Sequence, residues 1–169
     1  RRAVVSAMTI TEMDERGWFG SYALLAHTMR QRFRHAGRDV HELFARIAFN
    51  IIVGNNDDHA RNHAAFWDGQ WLDLTPAYDV CPGPRGGGEI KQMMEIGDDG
   101  YRDSKLIGCV ERAGTYLLSE KQAREIIDNQ IEIVTRDWDE VCDLAELTTA
   151  DRRLFWKRQF LNKSIFYGY

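Results

Sequence analysis

With 169 residues, 19.6 kDa, 44% hydrophobic and 28% charged side chains, the chain has the composition of one ordinary globular domain, or two at most, and not of a disordered or fibrous protein. A formal net charge of −4 argues against nucleic acid as the main partner, because neutralising phosphates needs a cationic surface. No apolar run approaches the roughly 20 residues needed to cross a bilayer, and Cys81, Cys109 and Cys142 form neither a metal spacing nor a disulfide framework, which fits a reducing compartment.

Ala3–Thr11 alternates around Val4, Val5 and Ile10 and predicts a short extended segment. After the punctuation of Gly17–Gly20, Ser21 is placed to cap a helix to about His35, with Leu24, Leu25, Met29 and Phe33 near helical spacing. The basic cluster of Arg30, Arg32, Arg34 and Arg38 reads as a solvated helix end, with a docking face for an acidic partner as the sharper alternative. Gly37 is expected to close that helix, and Asp39 to cap the clearest one. In it, Leu43, Phe44, Ile47, Ile51 and Ile52 share a wide apolar face that demands central burial. Gly54 is the expected stop.

Asn55–Asn62 is then almost wholly polar. Asp68-Gly69 predicts a hairpin joining Ala64–Trp67 to Trp71–Leu74. Pro76 and the cluster Cys81–Gly88 mark an irregular connection, in which Gly86, Gly87 and Gly88 read as a mobile loop and not a phosphate cradle. The last third predicts helices from Asp103 or Ser104 to Ala113, from a Ser119/Gln122 capping box to Val134 or beyond, and from a Thr148/Asp151 start to about Asn162. Trp138, Leu144, Leu154, Phe155, Trp156 and Phe160 are read as packing.

The polar segment Asn55-Asn56-Asp57-Asp58-His59-Ala60-Arg61-Asn62 is costly to hold beside a hydrophobic core unless its charges face a cleft or are paired. A two-residue turn returns the chain close to where it left, so the hairpin can bring Asp79 to the edge of the same cleft. Phosphoryl transfer from ATP uses a set of this kind: one carboxylate for the attacking hydroxyl, and a carboxylate with a neutral oxygen donor for Mg²⁺. Spacing alone leaves a kinase, a metal-dependent hydrolase and a structural polar loop open. His59 and His63 also stand four apart, which suits zinc only if the segment is helical and a third ligand exists.

The compound pattern LFARIAFNIIVGNNDDHARNHAAF (Leu43–Phe66) followed by WLDLTPAYDV (Trp71–Val80) resembles the C-terminal domain of the HipA-like serine/threonine kinases, the toxin kinases of bacterial toxin–antitoxin modules. The resemblance covers most of the chain, strongly over residues 40–80. It implies a mainly α fold, the C-terminal lobe of the protein-kinase-like fold with a small β-hairpin next to the catalytic loop. It implies Asp57 as the catalytic residue engaging a protein Ser/Thr hydroxyl, with Asn62 and Asp79 as the Mg²⁺ ligands. His59 is expected to shape the loop through hydrogen bonds, Asp58 to pair with an arginine, Arg61 to steer phosphate or pair with Asp58, and Tyr78 to pack behind Asp79. Asn56 departs from the family, where threonine is commoner. ATP and Mg²⁺ are the implied cofactors. The implied partners are a protein substrate and a small helix-turn-helix antitoxin, in the cytoplasm, with no membrane and no direct sequence-specific DNA contact. A kinase-derived binding or regulatory module, or a metal-dependent hydrolase, are the alternatives.

The first lysines are Lys91 and Lys105, both after Asp79, and no strand–Gly-rich turn–strand unit precedes the site. The expectation is therefore that residues 1–169 are one lobe of a longer kinase, lacking the nucleotide-covering lobe. Alone, they are expected to bind ATP·Mg²⁺ feebly and to have negligible turnover.

Overall fold

In the computed structural model, residues 2–13, 20–83 and 90–169 are described. The chain opens with β1 (Ala3–Ser6), but not with the longer extended segment that the sequence suggests. Ser6 accepts a bond from the Thr9 amide and turns the chain into the short helix α1 (Ala7–Ile10), burying Ala7 and Ile10. The Gly17 turn lies outside the described residues. Helix α2 (Tyr22–Arg32) starts where expected, with Ser21 Oγ accepting from the Leu24 amide. Its inner face is Tyr22, Leu25, Ala26 and Met29, while Leu24 faces solvent.

Helix α3 (Ala36–Val53) begins four residues earlier than the sequence suggests, with His35 and not Asp39 at the cap position. Gly37 and Asp39 are therefore inside its first turn and neither ends nor caps a helix. Asp39 is buried against the helix N-terminus, where a negative charge is favoured. Its carboxylate takes a 2.8 Å hydrogen bond from Arg38 and one at 3.5 Å from the Leu74 amide. Of the basic cluster, Arg38 is thus an anchor for Asp39, and Arg34 pairs with Asp68 and Asp73 of the hairpin. Val40, Leu43, Phe44, Ile51 and Ile52 are fully buried, making α3 the axis of the core. Gly54 ends it in the left-handed conformation, φ 79°, which costs glycine nothing.

Strands β2 (Ala64–Trp67) and β3 (Leu72–Leu74) form the expected hairpin, closed by Asp68, whose carboxylate accepts from the amides of Gln70 and Trp71. β1 adds to the other side of β2, with Ala3 opposite Trp67 and Ser6 opposite Ala64, giving an antiparallel sheet in the order β1-β2-β3. Part of the expected Cys81–Gly88 loop, including all three adjacent glycines, lies outside the described residues.

Helix α4 (Leu106–Glu111) is shorter than the predicted Ser104–Ala113, and a 3-10 turn, Ala113–Tyr116, follows it. Helix α5 (Glu120–Leu144) has the predicted Ser119/Gln122 capping box with both reciprocal bonds. Helix α6 (Thr149–Phe155) has the Thr148/Asp151 box but stops well short of Asn162. Trp138 packs on Trp156 and Phe160, with ring centroids 4.8 and 5.0 Å apart. Leu144 and Leu154 are exposed, against the packing role read from the sequence.

Candidate active site

The polar segment leaves the buried C-terminus of α3 and runs to β2. Two asparagines hold its beginning: Asn55 Nδ2 donates to Asn50 Oδ1 at 3.1 Å, and Asn55 Oδ1 accepts from the Asp57 amide at 3.3 Å. A 3-10 turn, Ala60–Asn62, closes it, with the Asn62 amide bonded to the His59 carbonyl at 2.8 Å. This turn buries Asn62 and His63 and leaves Asp57 exposed.

Asp58 is the structural centre of the segment. It is buried, and one carboxylate oxygen accepts from Tyr22 Oη at 2.5 Å, His63 Nε2 at 2.8 Å and Asn50 Nδ2 at 2.9 Å. Those partners stand where the sequence suggests an arginine. Burial, reinforced by the Asp58 charge, pushes the Tyr22 phenol well above its ordinary value. His63 is consumed by this network and stacks edge-on against Tyr22. Among the described residues, no group of three His, Cys, Asp or Glu side chains is disposed to hold a metal ion, so the His59/His63 spacing forms no zinc site there. The His59 ring does not fix the loop by hydrogen bonding through Nδ1, which is buried without a partner. Its contribution is the backbone carbonyl that starts the 3-10 turn.

The segment carrying Asp79 runs antiparallel beside the loop and is fastened to it at two points. Tyr78 Oη donates to the Arg61 carbonyl at 2.5 Å, and the Gly83 amide donates to the Gly54 carbonyl at 3.1 Å. Arg46, on α3, donates through Nη2 to the Thr75 carbonyl at 2.7 Å and fixes the entry to this segment. Tyr78 is thus a half-exposed strap, not packing behind Asp79. Burial and then the charges of Asp58 and Asp79 raise its phenol above the ordinary range.

Asp79 takes a left-handed backbone, φ 57°, which is uncommon outside glycine and turns the residue sharply out of the line of the chain. Asp57 and Asp79 are both exposed, and neither carboxylate accepts a hydrogen bond from another described residue. Carboxylate and amide oxygens are hard donors, of the kind Mg²⁺ takes and zinc or copper does not favour, so by donor type Asp57, Asn62 and Asp79 suit the implied ion. Arg61 is exposed, and its carbonyl is the acceptor for Tyr78. Sequence reasoning missed Tyr22 and Asn50, which secure Asp58 from 36 and 8 residues away, and Arg46, which secures Thr75 from 29 residues away. Only the polarity of Asn50 and Arg46 in the otherwise apolar stretch Leu43–Val53 hinted at them.

No curated protein matches the chain. Among solved structures, HipA of the toxin–antitoxin system of Shewanella oneidensis MR-1, in complex with HipB and its operator DNA, superposes with a TM-score of 0.69 at 15% identity. That match takes in 94% of this chain and 43% of the Shewanella protein, so the chain spans less than half of its relative's length. The shared fold is mainly helical with a small antiparallel sheet. The family model of the HipA-like C-terminal domain matches residues 1–138, and the chain belongs to that family.

Proposed function

We propose that the chain is the C-terminal lobe of a protein-kinase-like fold, acting within a toxin kinase that phosphorylates protein Ser/Thr hydroxyls with ATP and Mg²⁺. The observation that carries this reading is the double fastening of the Asp57–Asn62 loop to the Asp79 segment, through Tyr78–Arg61 and Gly83–Gly54. It keeps two separated acidic positions on adjacent strands of chain while leaving both carboxylates uncommitted.

When bound, ATP supplies the phosphoryl group and Mg²⁺ offsets the charge on its oxygens. Asp57 would orient the substrate hydroxyl and take its proton. Asn62, through its amide oxygen, and Asp79, through its carboxylate, would hold the metal. Asp58 serves the loop instead, with one carboxylate oxygen taken by Tyr22, Asn50 and His63. The same commitment disfavours the hydrolase alternative, which needs Asp58 and His63 as metal ligands. Family membership supports a role in a toxin–antitoxin module with a small helix-turn-helix antitoxin as partner, and the Shewanella relative was solved with HipB and operator DNA. Any DNA contact would be borrowed from the antitoxin, in the cytoplasm. A nucleotide-covering lobe from outside these residues would complete the site.

Transfer of labelled phosphate to protein by the full-length gene product tests the proposal. Asp57→Asn is expected to reduce the rate about a hundredfold or more, the usual worth of a positioned general base. Equal rates would contradict the assignment. No transfer by a wild-type protein that still binds antitoxin would favour the regulatory module.

A further inference from the structure

A cavity of about 490 Å³ opens between the C-terminal end of α3, the second half of α5 and the chain around and after the end of α6. Phe49 and Val53 of α3, Trp138 of α5, and Phe155 and Phe160 from the last segment give it an apolar, largely aromatic wall. None of Asp57, Asp58, Asn62, His63 and Asp79 lines it, so it is separate from the candidate active site. Trp138 is already held against Trp156 and Phe160, with ring centroids 4.8 and 5.0 Å apart, so the aromatic wall stands without a ligand.

One neutral polar side chain interrupts this wall. Gln159 lines the cavity and is only 8% exposed, and its carboxamide makes no hydrogen bond with any described residue. Its polar atoms are not sealed in the core, since both keep some access to water. A polar group set this deep normally has a partner within the protein. Here the carboxamide is left to meet one from outside, and it offers both a donor and an acceptor.

Charge narrows the choice of ligand. Among the described residues no Lys, Arg or His lines the cavity, so an anion would leave water without a counter-charge. Asp137 lines it, but Arg136 already grips that carboxylate through Nε at 2.6 Å and Nη2 at 3.0 Å. The volume falls within the range of about 300–1,000 Å³ usual for small-molecule pockets. A polypeptide segment would bring a row of backbone donors and acceptors for which an apolar wall has no partners. A compact molecule with one polar group brings only what Gln159 can satisfy.

We propose that this cavity binds a neutral small molecule with an aromatic ring system and one hydrogen-bonding group, the rings against Trp138 and Phe160 and the polar group on the Gln159 carboxamide. The site is independent of the phosphoryl-transfer reading and is tested without nucleotide. The full-length gene product is dialysed to equilibrium at neutral pH against 2-naphthol, naphthalene or 2-naphthoate: a neutral ring system with a hydroxyl, without it, and with a charge in its place. Naphthol is expected to bind about fivefold or more tighter than naphthalene, the worth of one net hydrogen bond. It should bind about tenfold or more tighter than naphthoate, whose charge would be buried unpaired. Gln159→Met keeps the length of the side chain and removes its polar end. In that variant naphthalene should still bind, which shows that the cavity has folded, and the advantage of naphthol should vanish. In the wild type, equal affinity for naphthol and naphthalene, naphthoate binding as tightly as naphthol, or no binding of any of the three would overturn the proposal. So would an advantage of naphthol that survives Gln159→Met, since the probe would then sit elsewhere.

Discussion

Tyr78 gives its phenolic hydrogen to the carbonyl of Arg61 at 2.5 Å, so the residue before Asp79 is tied to the residue before Asn62. The two proposed metal ligands are each one peptide unit from the same hydrogen bond. Their separation therefore depends on a contact that contains neither of them.

Tyr78→Phe removes this tie and leaves the ring in place. A typical intramolecular hydrogen bond is worth about 1 kcal/mol. We expect ATP·Mg²⁺ affinity in the full-length protein to fall about fivefold, with little change in the denaturation midpoint. Titration of the variant checks this; unchanged affinity would mean that Gly83–Gly54 alone holds the two segments together.

The Asp58 network predicts a different outcome, in which stability responds first. Asp58→Ala would leave the donors of Tyr22, Asn50 and His63 buried without an acceptor. The loss should be about 3 kcal/mol or more, at about 1 kcal/mol or more for each stranded donor. Asp58→Asn keeps an acceptor oxygen and should cost less than half as much. Urea denaturation of both variants distinguishes this account from one in which Asp58 is a surface residue.

Alkaline pH offers a third test. The Tyr22 phenol is raised well above its ordinary value of 10.0, first by burial and then by the Asp58 charge. Between those values the unfolded chain has released the proton and the folded chain retains it, so stability falls as pH rises. The contribution is fully present below 10.0 and is lost progressively above it. Tyr22→Phe should flatten part of this slope in denaturation midpoints measured on either side of pH 10.0, while Tyr116, also raised by burial, keeps its own part.

Two glycines should respond in opposite directions. Gly37 lies in the first turn of α3 with nothing within 4 Å of an added methyl group, so Gly37→Ala should stabilise by about 0.5–1 kcal/mol. Gly108, in α4, packs directly under the Tyr101 ring, which the Arg112 guanidinium covers at 3.7 Å. Gly108→Ala must displace that ring and should destabilise by about 1–3 kcal/mol. Thermal melts of the two variants settle both signs.

Local chemistry was readable in the sequence and long-range chemistry was not. The boxes Ser119/Gln122 and Thr148/Asp151, the Gly54 stop and the Asp68-Gly69 hairpin are all decided within four residues of chain, and each formed as predicted. Asp39 misled because a carboxylate near a helix N-terminus can cap the helix or sit inside its first turn. Inside the turn its carboxylate meets Arg38 and the Leu74 amide, the latter 35 residues away. The addition of β1 to β2 and the docking of Tyr22 onto Asp58 likewise depend on tertiary contact. At the candidate site, Asp57, Asn62 and Asp79 are proposed from the motif. The strap and the buried network could not be read from it, since tyrosines and asparagines 8 to 36 residues apart carry no periodic signal.

Calorimetric titration of the full-length gene product with ATP, with and without Mg²⁺, against its Asp79→Asn variant tests the central claim most directly. The account predicts Mg²⁺-dependent binding in the wild type, lost in Asp79→Asn and weak in residues 1–169 alone. Absence of nucleotide binding in the full-length protein, or binding indifferent to both Mg²⁺ and Asp79→Asn, would contradict it.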